Sequence, residues 1–432
     1  MTSGSRTTSR LVAGLRALAL SALLGAVGAT GFAQPTVVPI GALLDFTGPL
    51  SEFGAAHRDA AALAEAHINE AATAVFGGPI IRLIYEDAAT SATVGIDRAR
   101  KLVDVDGVAA ILGALASGVT VAVAEAVTAP AGVVQISQSS TSPLLSILDD
   151  DDFLFRTIGS DALQGVVAAQ LARGEIIPEY AFDRAATIYL NNPYGQGLND
   201  AFVRAFVARG GTVTAQVPHP DEPQPTYAAM LERALAGDPE VVIAISYPGQ
   251  ATVYLAEARD LFGFTNFQYV DGTKSELIIG AMGAEAVEGR LGTVLGPDPE
   301  FGGSQAFESA FEAVYGQRPP LPFMDSVYDA VAVLGLAVAK ALVDGVEATG
   351  TVLRDNLRLV ANPPGEVVGV NDFENGFRLL QSGATVAYTG AASDVVFDEV
   401  GDVVTSVVIW RYAGGTIEEN LIVIKAGDIP ED

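Results

Sequence analysis

Cysteine is absent from all 432 residues. That excludes disulfides, a thiol nucleophile and a lipid-modified N-terminal cysteine. Histidine is scarce: His57, His67 and His219 are the three in the chain, and their positions make no zinc-motif spacing. Neither G-x-S-x-G nor H-E-x-x-H occurs, and a hydrolase built on Ser117 would need a histidine base that this reading does not place in a cleft. A secreted hydrolase is therefore the weakest class, and the chain is read as a non-enzyme with no resident cofactor or metal. Basic residues are also few, 24 against 52 acidic ones, for a formal net charge of −28. Such a charge repels nucleic acid and anionic membrane surfaces and favours solubility, including in salty surroundings.

Half the residues are hydrophobic, and the length exceeds the usual size of one core, so two domains are expected. Residues 1–33 stand apart. Arg6, Arg10 and Arg16 lead into the apolar run Ala17–Val27, which ends in small residues at Gly31-Phe32-Ala33. That is the layout of a secretory signal peptide cleaved after Ala33; the run is shorter than the ~20 residues of a spanning helix. Without the three arginines the remaining chain carries −31. No comparable apolar run is expected later, which places the mature chain in solution in the periplasm or outside the cell.

From residue 37 the pattern alternates strand and helix. Val37–Leu44, Ile80–Tyr85, Val108–Leu112, Val133–Ile136 and Phe153–Thr157 read as strands, with helices at Ser51–Ala74 and Thr90–Val105. The acidic run Asp149–Asp152 lacks the spacing of a calcium loop and reads as a solvated turn. A second series starts at Asp161, with strands at Ala185–Leu190, Thr212–Val217, Val241–Ile245 and Asn266–Val270 and helices between them. Beyond Pro297 helices dominate, and Asp394–Ile409 and Thr416–Ile424 read as terminal strands. The expected fold class is α/β, with two Rossmann-like lobes built on parallel sheets.

Uncommon side chains gather where strands end: Phe53, Ser117, Ser139 and Thr141 in the first series, Tyr194, Tyr247 and Asp271 in the second. Open α/β sheets hold ligands at their carboxyl edges. Two such edges facing each other would set hydroxyls and N–H donors against aromatics and a carboxylate, which suits a zwitterion. Each residue has a plainer reading. Hydroxyls at such junctions cap helices, Tyr194 and Tyr247 could cover helix ends, Asp271 could cap or pair with Lys274, and Phe53 could be core.

Several stretches together resemble one family: Ile40–Leu50 with Gly54, Leu112–Ser117, Gln135–Pro143, Pro193–Gly197, Asp271-Gly272 and Asp325–Ala330. In this order they resemble the type I periplasmic binding proteins, in the branched-chain amino-acid (leucine/isoleucine/valine) branch that feeds ABC importers. The resemblance implies two lobes joined by a three-segment hinge, closing on a ligand delivered to a permease. It implies lobe 1 at residues 34–157 with about 292–385, and lobe 2 at 158–291 with about 386–432. It gives Ser117, Ser139 and Thr141 the ligand's carboxylate and amino group, Asp271 the ammonium, and Phe53, Tyr194 and Tyr247 the lining of the cleft. Aspartate at position 271 departs from the glutamate common in leucine-binding members and is a methylene shorter. A clamshell sensor for an amide, urea or other small organic acid shares the architecture and is the alternative.

Overall fold

A computed structural model describes Met1 and residues 35–430 of the chain. The expected signal peptide lies outside the described residues, apart from Met1.

The first sheet is formed by β1 (Val38–Leu44), β2 (Ile81–Asp87), β3 (Ala110–Gly113), β4 (Val134–Ser137) and β5 (Leu154–Arg156), in the order β2-β1-β3-β4-β5. Every pairing is parallel. Its strands are apolar on both faces because helices cover both. Ile40, Ala42, Leu112 and Ile136 pack with Val331 and Leu334 of helix Met324–Asp344, while Leu43 and Ile111 pack with Leu102 and Val119 on the opposite side. Helix Met324–Asp344 corrects one expectation: it is a later run long and apolar enough to cross a membrane, but 83% of its most apolar window is buried inside the protein.

The second sheet contains β6 (Arg184–Leu190), β7 (Thr212–His219), β8 (Val241–Ile245), β9 (Phe267–Tyr269) and β10 (Leu291–Gly296). A third, two-stranded sheet pairs β11 (Glu366–Val368) with β12 (Val386–Tyr388). The second sheet is completed by the hairpin β13 (Ser406–Ala413) and β14 (Thr416–Ile424), giving the order β14-β13-β10-β9-β8-β6-β7. The pairings are parallel from β7 to β10 and antiparallel at β13 and β14.

These pairings move two of the expected lobe limits. β10 belongs to the second sheet, so that lobe continues through Gly296 rather than ending at 291. β12 pairs beside β11 in the part that covers the first sheet, so the return to the second lobe falls near residues 398–405 rather than at 386. The expected strand from Asp394 starts only at Ser406. Before it the chain turns at Asp398, whose Oδ1 accepts from the N–H groups of Val400 and Asp402 at 2.9 Å each.

Two of the three crossings run side by side. Arg156 N–H donates to the carbonyl of Gly401 at 3.0 Å, and Gly159 N–H to Thr405 Oγ1 at 3.2 Å. The Arg156 guanidinium is buried against Asp402, with Nε 2.7 Å from Oδ1, and it also reaches the Ser142 carbonyl and Ser146 Oγ. The acidic run is less solvated than expected: Asp152 forms a two-bond pair with Arg358 at 2.7 and 2.8 Å, and Asp150 is buried.

Candidate functional site

The loops after β3 and β4 lie side by side at the carboxyl edge of the first sheet and are stitched by their hydroxyls. Ser137 Oγ donates to the Ala114 carbonyl at 2.8 Å, Thr120 and Ser140 share a 2.7 Å bond, and Ser117 Oγ accepts from Ser142 N–H at 3.3 Å. Helix capping falls to other residues. Ala116, not Ser117, precedes helix Ser117–Val123, and the Ser142 hydroxyl caps the turn Pro143–Ile147. Ser142 Oγ also donates to the Pro193 carbonyl at 2.8 Å, and Ser275 Oγ donates to Glu52 Oε2 at 2.6 Å, so both lobes touch at the cavity rim.

Opposite these loops stand the strand ends of the second sheet. Asn192 caps helix Pro193–Ala208 by accepting from Gly195 N–H at 2.9 Å, which sets Tyr194 on its first turn. A side chain at 195 is barred because its Cβ would lie 2.1 Å from the Leu190 carbonyl. Tyr247 immediately precedes helix Pro248–Phe262. The two rings stack with centroids 5.5 Å apart and planes 12° from parallel. Tyr194 Oη donates to Asp271 Oδ1 at 2.8 Å, and Gln164 Nε2 donates to the same oxygen at 3.0 Å. Asp271 does not pair with Lys274, which binds Glu419 instead.

Six of the seven expected residues line a single cavity: Phe53, Ser117, Ser139, Tyr194, Tyr247 and Asp271. Leu50, Leu115, Gly272 and Phe323 complete its wall, and the cavity contains about 340 Å³ of unfilled space, counting what opens to solvent. Thr141 is not brought to this wall. Its hydroxyl donates instead to Asp161 Oδ2 at 2.9 Å.

Asp161 is the residue that sequence reasoning missed. It opens helix Asp161–Ala172, is fully buried, and its Oδ1 has no hydrogen-bond partner among the described residues. Burial first, and then the charge of Asp271, push its carboxyl well above the usual carboxylate range. Asp271 is also raised by burial, partly offset by the donors Tyr194 and Gln164. The Tyr194 hydroxyl is pushed up by burial and by both acids. Two neighbouring buried acids bonded by neutral donors are costly to ionise together. The signal available in sequence was an acid at the first position after the crossing, which also reads as ordinary helix-terminal charge.

The histidines lie elsewhere. His57 Nε2 meets the Pro322 carbonyl at 3.1 Å, His67 Nδ1 meets Tyr328 Oη at 2.8 Å, and His219 Nε2 meets Ser246 Oγ at 3.0 Å.

Residues 37–375 match the family model described as "Periplasmic binding protein", and the chain belongs to that family. A relative over nearly its whole length is the chemotactic signal transduction system substrate-binding protein BasB of Halobacterium salinarum, 27% identical over 405 residues and covering 90% of each chain. The leucine-, isoleucine-, valine-, threonine- and alanine-binding protein of Pseudomonas aeruginosa is 27% identical, with 78% of this chain and 88% of that one covered. Among solved structures, the leucine-binding protein LivK of Thermotoga maritima superposes with a TM-score of 0.73 at 24% identity, covering 90% of this chain and 99% of that one. The resemblance read from the motifs thus holds for family and fold, the type I periplasmic binding protein architecture.

Proposed function

We propose that this chain is the extracytoplasmic binding component of an ABC importer, capturing a small amino acid, branched-chain or related, between its lobes for delivery to a permease. The observation that carries the reading is the buried acid Asp271, with Tyr194 and Tyr247, set in one cavity with Ser117 and Ser139, and a second buried acid, Asp161, beside Asp271 behind that wall. The ligand's ammonium meets the acid pair Asp271 and Asp161, Ser117 and Ser139 receive its carboxylate, and its side chain packs on Phe53, Tyr194 and Tyr247. Contacts to both lobes make binding favour the closed form. The family and the N-terminal pattern of residues 1–33 support an exported protein.

The test is a thermal-shift screen of residues 34–432 against amino acids, amides, sugars and small organic acids. An amino acid at 100 times its Kd adds about 2.7 kcal/mol of stability. Stabilisation by sugars or amides alone refutes the amino-acid reading. A second reading, a ligand sensor signalling to a receptor, is favoured by the chemotactic function named for the Halobacterium relative. Permease and ATPase genes beside this one support import, and a receptor or kinase gene supports sensing.

A further inference from the structure

Phe323 lines two cavities. One is the ligand cavity already described; the other contains about 870 Å³ of unfilled space, counting what opens to solvent. The second cavity also lies between the lobes. Val294, Leu295 and Val408 come to it from the second sheet, and Phe307 and Met324 from the helices that cover the first, all of them buried. Its polar groups are not equivalent. Lys274 is paired with Glu419 and Arg318 with Glu308, whereas Asp325 accepts from the N–H of Ser326 at 2.8 Å and belongs to no ion pair among the described residues.

The backbone at Phe323 has φ 68° and ψ 5°, a left-handed conformation that a bulky L side chain rarely adopts. The chain is held there from both sides. The Pro322 carbonyl meets His57 Nε2 at 3.1 Å, and helix Met324–Asp344 begins at the next residue. The ring is itself buried, 8% exposed, at the boundary of the two spaces. Neighbouring structure therefore fixes an unfavourable backbone at the residue that borders both spaces.

We propose that Phe323 is a length gate: its ring withholds the second cavity from the ligand site and limits the ligand to a short side chain. Without the ring, the two spaces join into one site that takes a longer amino acid whose side chain ends in a cation, facing Asp325. The inference rests on the amino-acid reading of the cleft.

The test compares wild type, Phe323→Gly and Phe323→Gly/Asp325→Asn by calorimetric titration with L-leucine, L-phenylalanine and L-arginine, after a melting curve on each variant. Phe323→Leu takes the place of the glycine variant if that one does not fold. Wild type is expected to bind leucine at least about 100-fold more tightly than arginine. Phe323→Gly is expected to raise arginine affinity relative to leucine affinity by at least about tenfold. Adding Asp325→Asn is expected to remove the arginine gain while leaving any gain for phenylalanine, which fills only the space the ring vacates. Equal binding of leucine and arginine by wild type overturns the gate, as does a folded variant that binds leucine without gaining arginine. Loss of the arginine gain together with an equal loss for phenylalanine overturns the role of Asp325. Wild type that binds none of the three instead overturns the reading of the cleft.

Discussion

Replacing Asp161 with asparagine is expected to move stability and binding in opposite directions. Without ligand, Asp161 is a buried acid with one oxygen unpartnered and a second acid beside it. Its folded form holds a proton that its unfolded form releases, so its contribution to stability is present below the unfolded value of 3.8 and is lost as pH rises toward the folded one. Asparagine removes that linkage and keeps a carbonyl to accept from Thr141. The ligand-free protein should gain about 1–3 kcal/mol at pH 8, the scale of an unsatisfied buried group. With ligand, the same change removes a charge-assisted bond to the ammonium, worth about 1.5–3 kcal/mol and so roughly a 10- to 150-fold loss of affinity. Melting curves with and without leucine read both effects on the same samples. A variant whose ligand-free stability falls, or whose leucine affinity is unchanged, refutes the assignment of Asp161 to the ammonium.

Two further predictions follow from other buried charges. Arg156→Met should cost about 3–5 kcal/mol in urea unfolding, because it strands the Asp402 carboxylate and the Ser142 carbonyl; a loss below about 1 kcal/mol contradicts the buried-pair account. Asp45 is wholly buried, accepts from Thr90 N–H at 2.5 Å, and is pushed by burial from 3.8 to about 7. Its contribution is therefore present below pH 3.8 and lost by pH 7, and Asp45→Asn should flatten the stability profile over that window by about 4 kcal/mol. Urea titrations at intervals across the window check this, and identical slopes for both proteins refute it.

The sheets were legible where strands are short unbroken apolar runs bounded by turn residues, as at Val37–Leu44 and Val241–Ile245. β10 was not, because Gly292 and Gly296 interrupt its run; Gly292 is required where a Cβ would lie 2.4 Å from the Trp410 ring. Loops at strand ends were also readable, since the sheet edge alone places Ser117, Ser139, Tyr194 and Asp271 together. Asp161 and Phe323 were not. The meaning of Asp161 comes from Asp271, distant in sequence, and that of Phe323 from a backbone angle and a cavity that no local pattern encodes. Thr141 shows the converse, a residue found by position whose hydroxyl is engaged one step behind the wall.

The order in which the chain is made bears on how it can fold. One face of the first sheet, with Ile40, Ala42, Leu112 and Ile136, is covered by helix Met324–Asp344. Helix Ser51–Phe76 covers part of that face, but until residue 344 has been synthesised the rest of its cover is missing, even though every strand of the sheet is complete by Arg156. The two halves of this core meet only across a long chain separation, which slows their pairing. The first lobe's core is therefore completed late in synthesis, by a helix that arrives after the whole second series of strands up to β10.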